Sequence, residues 1–130
     1  MENNIYAYRY LELNNDIENQ AFLYYRYFDE VVISYRQLRN ALEIIAYLLA
    51  HKLKQLQHKG QSLGIYIEKI NRELIYMDIQ LQKASDNAKY LFYYLMQLVR
   101  GEQRLNMPLI MIAVKVEFDV ENAYKQLELW

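Results

Sequence analysis

Apolar residues recur at alternating steps of three and four along residues 17–98, with one interruption at a glycine-containing segment. Before the interruption the repeat consists of Ile17, Ala21, Tyr24, Phe28, Val31, Tyr35, Leu38, Leu42, Ile45, Leu49 and, after Lys52, Leu56. After it, the repeat consists of Leu63, Ile67, Ile70, Leu74, Met77, Leu81, Ala84, Ala88, Leu91, Leu95 and Leu98. Because such spacing places side chains along one face of an α-helix, it predicts two long helices.

The interruption contains signals that end one helix and begin another. Gly60 suits the left-handed conformation at a helix C-terminus, and Ser62 suits a helix N-cap. We therefore expect helices over about 16–59 and 62–100, each roughly 60 Å long at ~1.5 Å per residue. Because the connection is short, the two helices are expected to form an antiparallel hairpin.

Two shorter elements flank this hairpin. Residues 3–13 continue the apolar spacing, but Asn15 with Glu18 resembles a capping box, which favours a separate short N-terminal helix over one kinked continuous helix. Pro108 suits a first helical turn, and the apolar spacing after it predicts a third helix to the C-terminus. The expected fold is all-α, a four-helix-bundle-like single domain over residues 1–130.

Composition agrees with this expectation and narrows the function. The chain has 130 residues, one Pro, three Gly and no Thr, so strand and turn formers are scarce. It has no Cys, which excludes disulfides and thiolate metal sites. Its net charge of −1 provides no overall attraction to nucleic acid, and no apolar run approaches the ~20 residues of a membrane-spanning helix.

Enzymatic chemistry has no clear signature in the sequence. The Glu-x-x-His pairs of di-iron bundles are absent, because Leu48 precedes His51 by three residues and Gln55 precedes His58 by three. The two histidines share a helical face, which leaves a weak metal or haem site as an alternative to solvated side chains. We predict no catalytic residue, metal, cofactor or small-molecule substrate, and hence a protein that is not an enzyme.

Basic residues near the expected hairpin tip form a candidate phosphate-binding surface. The candidate residues at the tip are Lys52, Lys54, Lys59 and Lys69, and Arg26, Arg36 and Lys54 on the outer side of the first helix would broaden this surface. The alternative is that the lysines only complement the helix dipole at a helix C-terminus. The first interpretation makes packaged DNA a candidate partner.

Apolar residues also occur opposite the main stripe of each expected helix. On this reasoning the candidate subunit-interface residues are Ile33, Ile44, Tyr47, Ile65, Ile75, Ile79, Tyr90 and Tyr93. A short chain with two long helices has too little material to cover them all, which favours contact with other copies. The fourteen tyrosines suit such contacts, because each supplies a large apolar area with a polar tip.

In length, composition and expected helical plan, the chain resembles the coat proteins of large spindle-shaped archaeal viruses. The resemblance implies a virion structural protein made in many copies, with a basic face towards packaged DNA. We therefore expect a self-assembling coat subunit located in the virion. The alternative is a cytoplasmic regulatory or adaptor bundle, a homodimer that binds a protein or nucleic-acid partner.

Overall fold

A computed structural model describes residues 21–106 and 108–118, together with the backbone of residues 12–16. Within these residues the order of elements is β1 (Glu12–Asp16), β2 (Ala21–Val32), α1 (Tyr35–Gln55), β3 (Gly60–Lys69), β4 (Leu74–Ser85), α2 (Ala88–Arg100) and β5 (Leu109–Phe118). The chain therefore combines helices with a sheet. The predicted all-α helical bundle is wrong.

The five strands form one sheet in the order β1-β2-β5-β3-β4, and all neighbouring strands are antiparallel. β2 and β3 are consequently parallel to each other with β5 between them, and β4 and β5 are parallel with β3 between them. The segments β2-α1-β3 and β4-α2-β5 are thus two interleaved crossover units. The order β2-β5-β3-β4 is therefore symmetric. Read from the opposite edge of the sheet, β4 takes the place of β2 and β5 takes the place of β3.

The strands form because the same residues also alternate with period two. In β3, Leu63, Ile65 and Ile67 are buried, while the residues between them face the opposite side. β4 buries Ile75 and Met77 in the same way. Alternation and β-branched side chains suit a sheet that covers its core on one face, so they overrode the helical spacing over residues 60–85. The expectation that strand formers are scarce was wrong, because Ile, Val and Tyr are abundant in this chain.

Only the middle of the first predicted helix is helical. α1 begins after Ser34, whose hydroxyl accepts a hydrogen bond from the Gln37 N–H at 3.2 Å, while the Gln37 side chain accepts from the Ser34 N–H at 3.1 Å. This reciprocal capping box starts the helix about 19 residues later than the expected start at Asp16. Residues 21–32, which precede it, lie in β2.

α1 also ends earlier than residue 59, the C-terminus that was expected from Gly60. The His58 N–H donates to the Leu53 carbonyl at 2.9 Å, the Gln57 N–H donates to the Lys54 carbonyl at 3.2 Å, and Gln57 has a φ of 59°. This is a Schellman motif with glutamine in the left-handed position that glycine usually occupies. Gly60 instead begins β3, where the backbone passes close to Val116.

The second and third predicted helices are also largely replaced by strands. Of residues 62–100, only Ala88–Arg100 are helical, beginning after the N-cap Asn87. Residues 109–118 form β5, in the middle of the sheet. The N-terminal helix predicted over 3–13 falls on residues outside the described part, apart from 12 and 13 in β1, and residues 119–130 also lie outside it.

The core lies between both helices and one face of the sheet. Leu42, Ile45 and Leu49 of α1 and Leu91 and Leu95 of α2 are fully buried there. They pack against alternate residues of four strands, including Phe22, Ile65, Ile75, Ile112, Val114 and Val116. This arrangement leaves two broad surfaces: the outer side of the helices, and the sheet face on the opposite side of the domain.

Candidate interaction surfaces

An apolar groove with a volume of about 660 Å³ lies between the outer sides of α1 and α2. We call it the helix groove, and it is lined by Glu43, Ile44, Tyr47, Leu48, Ala88, Lys89 and Phe92. Its α1 wall follows from helical spacing, since residues 44, 47 and 48 share a face. Ile44 is 39% exposed and Tyr47 is 66% exposed, so large apolar side chains meet solvent here.

The two walls of the helix groove carry opposite charges. Glu43 lies on the α1 wall and Lys89 on the α2 wall, and both side chains are exposed. Neither forms an ion pair among the described residues. The guanidinium group of Arg39 lies 6.0 Å from the centre of the Phe92 ring, close to the same groove.

The sheet face away from the helices carries four tyrosines, Tyr25, Tyr27, Tyr66 and Tyr76, which we call the tyrosine face. Strand register places Tyr25, Tyr66 and Tyr76 in one row with Ala113. Tyr27 lies in the next row, with Met111, Glu68 and Leu74. Tyr27 is 46% exposed and Tyr76 is 40% exposed, so these two rings are available for contact.

The tyrosine rings are held by close contacts. The Tyr66 and Tyr76 ring centres are 4.5 Å apart. A Cβ atom at Gly64 would lie only 2.8 Å from the Tyr76 hydroxyl, so the glycine leaves room for this ring. Desolvation by its neighbours raises the pKa of Tyr76.

Charged residues surround the tyrosines with mixed sign. The Lys115 ammonium lies 3.3 Å from the Glu117 carboxylate and 5.9 Å from the centre of the Tyr76 ring. The Arg72 guanidinium lies 3.0 Å from the Glu68 carboxylate. Because both signs are present and these two ion pairs are neutral, this face presents no strong field of one sign.

The structure separates the predicted interface residues into three groups. Ile33, Ile44, Tyr47 and Tyr93 are exposed on or beside the helices, and only Ile44 and Tyr47 line the helix groove. Ile65 and Ile75 are buried in the core. Ile79 and Tyr90 are partly buried and pack against that core, which leaves little of them for a second molecule.

The predicted phosphate-contact residues do not form one surface. Lys52 and Lys54 are in the last turn of α1 and Lys59 follows it, whereas Arg36 is in its first turn. Arg26 lies on the helix side of β2, with its guanidinium group 5.1 Å from the Phe28 ring centre. Lys69 is only 4% exposed, and its ammonium group lies 2.8 Å from the Glu73 carboxylate and donates to the Arg104 carbonyl.

The helix-based interpretation missed several surface residues. Leu48 and Phe92, which line the groove, are not among the predicted interface residues. Tyr66 and Tyr76 of the tyrosine face have no predicted role either. The alternation of Leu63, Ile65 and Ile67 in β3 is the signal that would have placed Tyr66 on the opposite face.

Neither a metal centre nor a membrane helix is found in the described part of the chain. Its His, Asp and Glu side chains do not gather into any group of three that could hold a metal ion. No helix between residues 21 and 118, as far as they are described, is long and apolar enough to cross a membrane.

Comparison with known proteins gives a likeness of fold alone. No protein-family model matches the sequence, and no curated protein matches it. Among solved structures, the chain is similar to one described as the complex of the beta-clamp processivity factor and the little finger domain of PolIV, with a TM-score of 0.61 and 11% identity. The match covers 75% of this chain and 86% of that chain, which makes the matched chain about 113 residues long, the length of a single domain.

Proposed function

We propose that this protein is a non-enzymatic structural subunit that assembles with copies of itself through the helix groove. The observation that carries the proposal is the apolar groove between α1 and α2, with Glu43 on one wall and Lys89 on the other. Exposed Ile44 and Tyr47 supply the apolar contact area, as aromatic and aliphatic residues do at protein interfaces. The buried core accounts for the fold without the side chains of Ile44 and Tyr47.

The opposite charges favour a second copy as the occupant. In a two-fold symmetric contact the same patch is used on both molecules, so it must be complementary to itself. A two-fold axis along the groove places α1 of each molecule over α2 of the other. Glu43 of each copy then faces Lys89 of the other, and the two ion pairs flank an apolar centre.

The most concrete form of such a subunit is a viral coat protein located in the virion. The alternative is a cytoplasmic adaptor that forms only a dimer and binds a different partner with its remaining surface. The similar solved structure is itself a complex between proteins, which supports a binding role for this fold. The size of the assembly distinguishes the two functions, because a coat subunit must continue beyond the dimer.

Contact with packaged DNA is a narrower proposal that concerns the C-terminal end of α1. It is supported by Lys52 and Lys54 in the last turn of α1 and by Lys59 shortly after it, with Lys54 and Lys59 exposed. Binding that releases counterions from DNA weakens steeply as salt rises. A filter-binding assay with duplex DNA should therefore show steep salt dependence, and flat, weak retention contradicts the proposal.

Ile44→Glu tests the groove contact, with Ile33→Glu as the matched control. Both replace an exposed isoleucine with a charge, but Ile33 lies before α1 and outside the groove. Sedimentation velocity over a range of concentrations should show a lower average mass for Ile44→Glu than for the wild type, with Ile33→Glu unchanged. Circular dichroism confirms that both variants fold. Equal assembly of the wild type and Ile44→Glu contradicts the proposed function.

A further inference from the structure

We infer that the tyrosine face is a second contact between copies of this chain, so that assembly is open-ended. Tyr25, Tyr66 and Tyr76 lie in a row across the sheet, on the side opposite the helix layer. A molecule with a self-complementary contact on each of two opposite faces adds copies on both sides without closing. The open-ended part of this inference rests on the proposed function, whereas the sheet contact itself does not.

The composition of this face resembles the interior and rim of a protein interface. On β2, β5, β3 and β4 the central row consists of three tyrosines and Ala113, and it ends on the edge strand β1 at Glu12, which pairs with Tyr25. The charged residues Glu68 and Lys115 occupy the rows on either side of it. Protein interfaces are commonly depleted of charge at the centre and enriched in tyrosine, with a polar rim.

Charge favours a second copy over other occupants of the tyrosine face. A nucleic acid requires a positively charged surface, but Lys115 is paired with Glu117, and Asp78 and Glu68 lie on the same face. A strongly basic peptide segment would need a surface with a large net negative charge. This face has too little, because Glu68 is already paired with Arg72. A near-neutral surface with both signs is suited to contact its own copy.

The available area indicates a weak contact. Four strands spaced ~4.8 Å apart, each at least 10 residues long, present roughly 630 Å² per molecule. This is less than the ~800 Å² per partner of a standard stable interface. The contact should therefore become important at high protein concentration, or when the helix groove has already paired the molecules and raised the effective concentration.

Tyr27→Glu tests the inference, with Tyr93→Glu as the matched control. Tyr27 lies on the tyrosine face, whereas Tyr93 is an exposed tyrosine of α2 that does not line the groove. Sedimentation velocity at high concentration should show assemblies beyond the dimer for the wild type and for Tyr93→Glu. Tyr27→Glu and Ile44→Glu should each stop at the dimer, and the double variant should remain monomeric.

Gly64→Ala provides a second variant that adds no charge. Its Cβ would meet the Tyr76 hydroxyl, which can move because it is the far end of a side chain. The shifted ring should disturb the tyrosine face while the domain stays folded, and assembly beyond the dimer should weaken. Normal circular dichroism with wild-type assembly in both Gly64→Ala and Tyr27→Glu overturns the inference.

The outcomes separate this inference from the proposed function. Wild-type dimers that are lost only in Ile44→Glu support the helix groove and overturn the tyrosine-face contact. Wild-type dimers that are lost only in Tyr27→Glu support the tyrosine-face contact and contradict the proposed function. Assemblies beyond the dimer that require both surfaces support both.

Discussion

The Tyr90 hydroxyl accepts a hydrogen bond from the backbone N–H of Lys83 at 3.2 Å. This contact joins α2 to β4, an edge strand of the sheet. The Tyr90 hydroxyl also lies 3.5 Å from the Tyr94 hydroxyl, so two tyrosines lie over this end of the strand. Covering an edge strand protects its backbone from pairing with other chains.

Tyr90→Phe should destabilise the domain by about 1 kcal/mol, because the Lys83 N–H loses its acceptor. Hydrogen exchange of the Lys83 amide should also become faster. Tyr93→Phe is the control, since the Tyr93 hydroxyl accepts from the Gln97 side chain on an exposed surface. Urea unfolding with amide exchange measures both effects, and equal exchange at Lys83 in the two variants contradicts the assigned role.

Ser34→Ala should cost about 1 kcal/mol of unfolding free energy, because it removes the side-chain acceptor at the N-terminus of α1. Ser62→Ala serves as a control within β3, where this serine caps no helix. Chemical unfolding followed by circular dichroism compares the variants. A loss in Ser62→Ala as large as that in Ser34→Ala would show that the capping box has no particular importance.

Two glycine substitutions should have opposite effects on stability. A Cβ at Gly60 would lie 2.6 Å from Val116 Cγ2 inside the core, so Gly60→Ala should destabilise by about 1–3 kcal/mol through overpacking. At Gly101 the nearest atom would be 3.6 Å away, and Gly101 has a right-handed φ of −83°. Gly101→Ala should therefore stabilise by about 0.4–1 kcal/mol, because alanine restricts the unfolded chain. Thermal unfolding of the two variants tests this difference in sign.

Acid should destabilise the loop before β5. Hydrogen bonds from Arg104 lower the pKa of Glu102 from its ordinary 4.5 to about 2. Since the folded-state pKa is the lower one, the contribution to stability is present above pH 4.5 and is lost as the pH falls towards 2. The hydrogen bond from Lys69 also lowers the pKa of Glu73, which adds a loss in the same direction.

Glu102→Gln should therefore flatten the dependence of unfolding free energy on pH across the acid range. Its difference from the wild type should be largest near neutral pH and should shrink towards pH ~2. Glu30→Gln, which removes an exposed carboxylate with no ion pair among the described residues, is the control for the loss of one negative charge. A Glu102→Gln curve parallel to that of the wild type contradicts the effect of Arg104.

The sequence supported a helix where local and tertiary signals agreed. Over residues 35–55 the apolar spacing fits only one face of a helix, and Ser34 and Gln37 cap it. Helical phase places Ile44 and Tyr47 on the outer side of this helix, and both are exposed there. Ile65 and Ile75 were assigned by the same phase, but strand alternation directs them into the core.

The remaining errors have physical causes that act beyond the local sequence. Over half of the residues are hydrophobic, so steps of three and four can be traced through segments that also alternate by two. The turn between β3 and β4 has Arg72 at a φ of 72° without glycine, which concealed the hairpin. The central position of β5 depends on pairing with two distant strands, which no local pattern specifies.

A charge exchange between positions 43 and 89 is the sharpest test of self-assembly through the helix groove. Glu43→Lys and Lys89→Glu each place like charges against each other in the proposed two-fold contact, so each variant alone should assemble less than the wild type. In a mixture, both lysines of the Glu43→Lys variant face both glutamates of the Lys89→Glu variant, and sedimentation velocity should show assembly restored at equal total concentration. Self-assembly through the helix groove would be contradicted if each variant, measured separately, assembled as the wild type does. It would also be contradicted if the mixture sedimented as the sum of its two components.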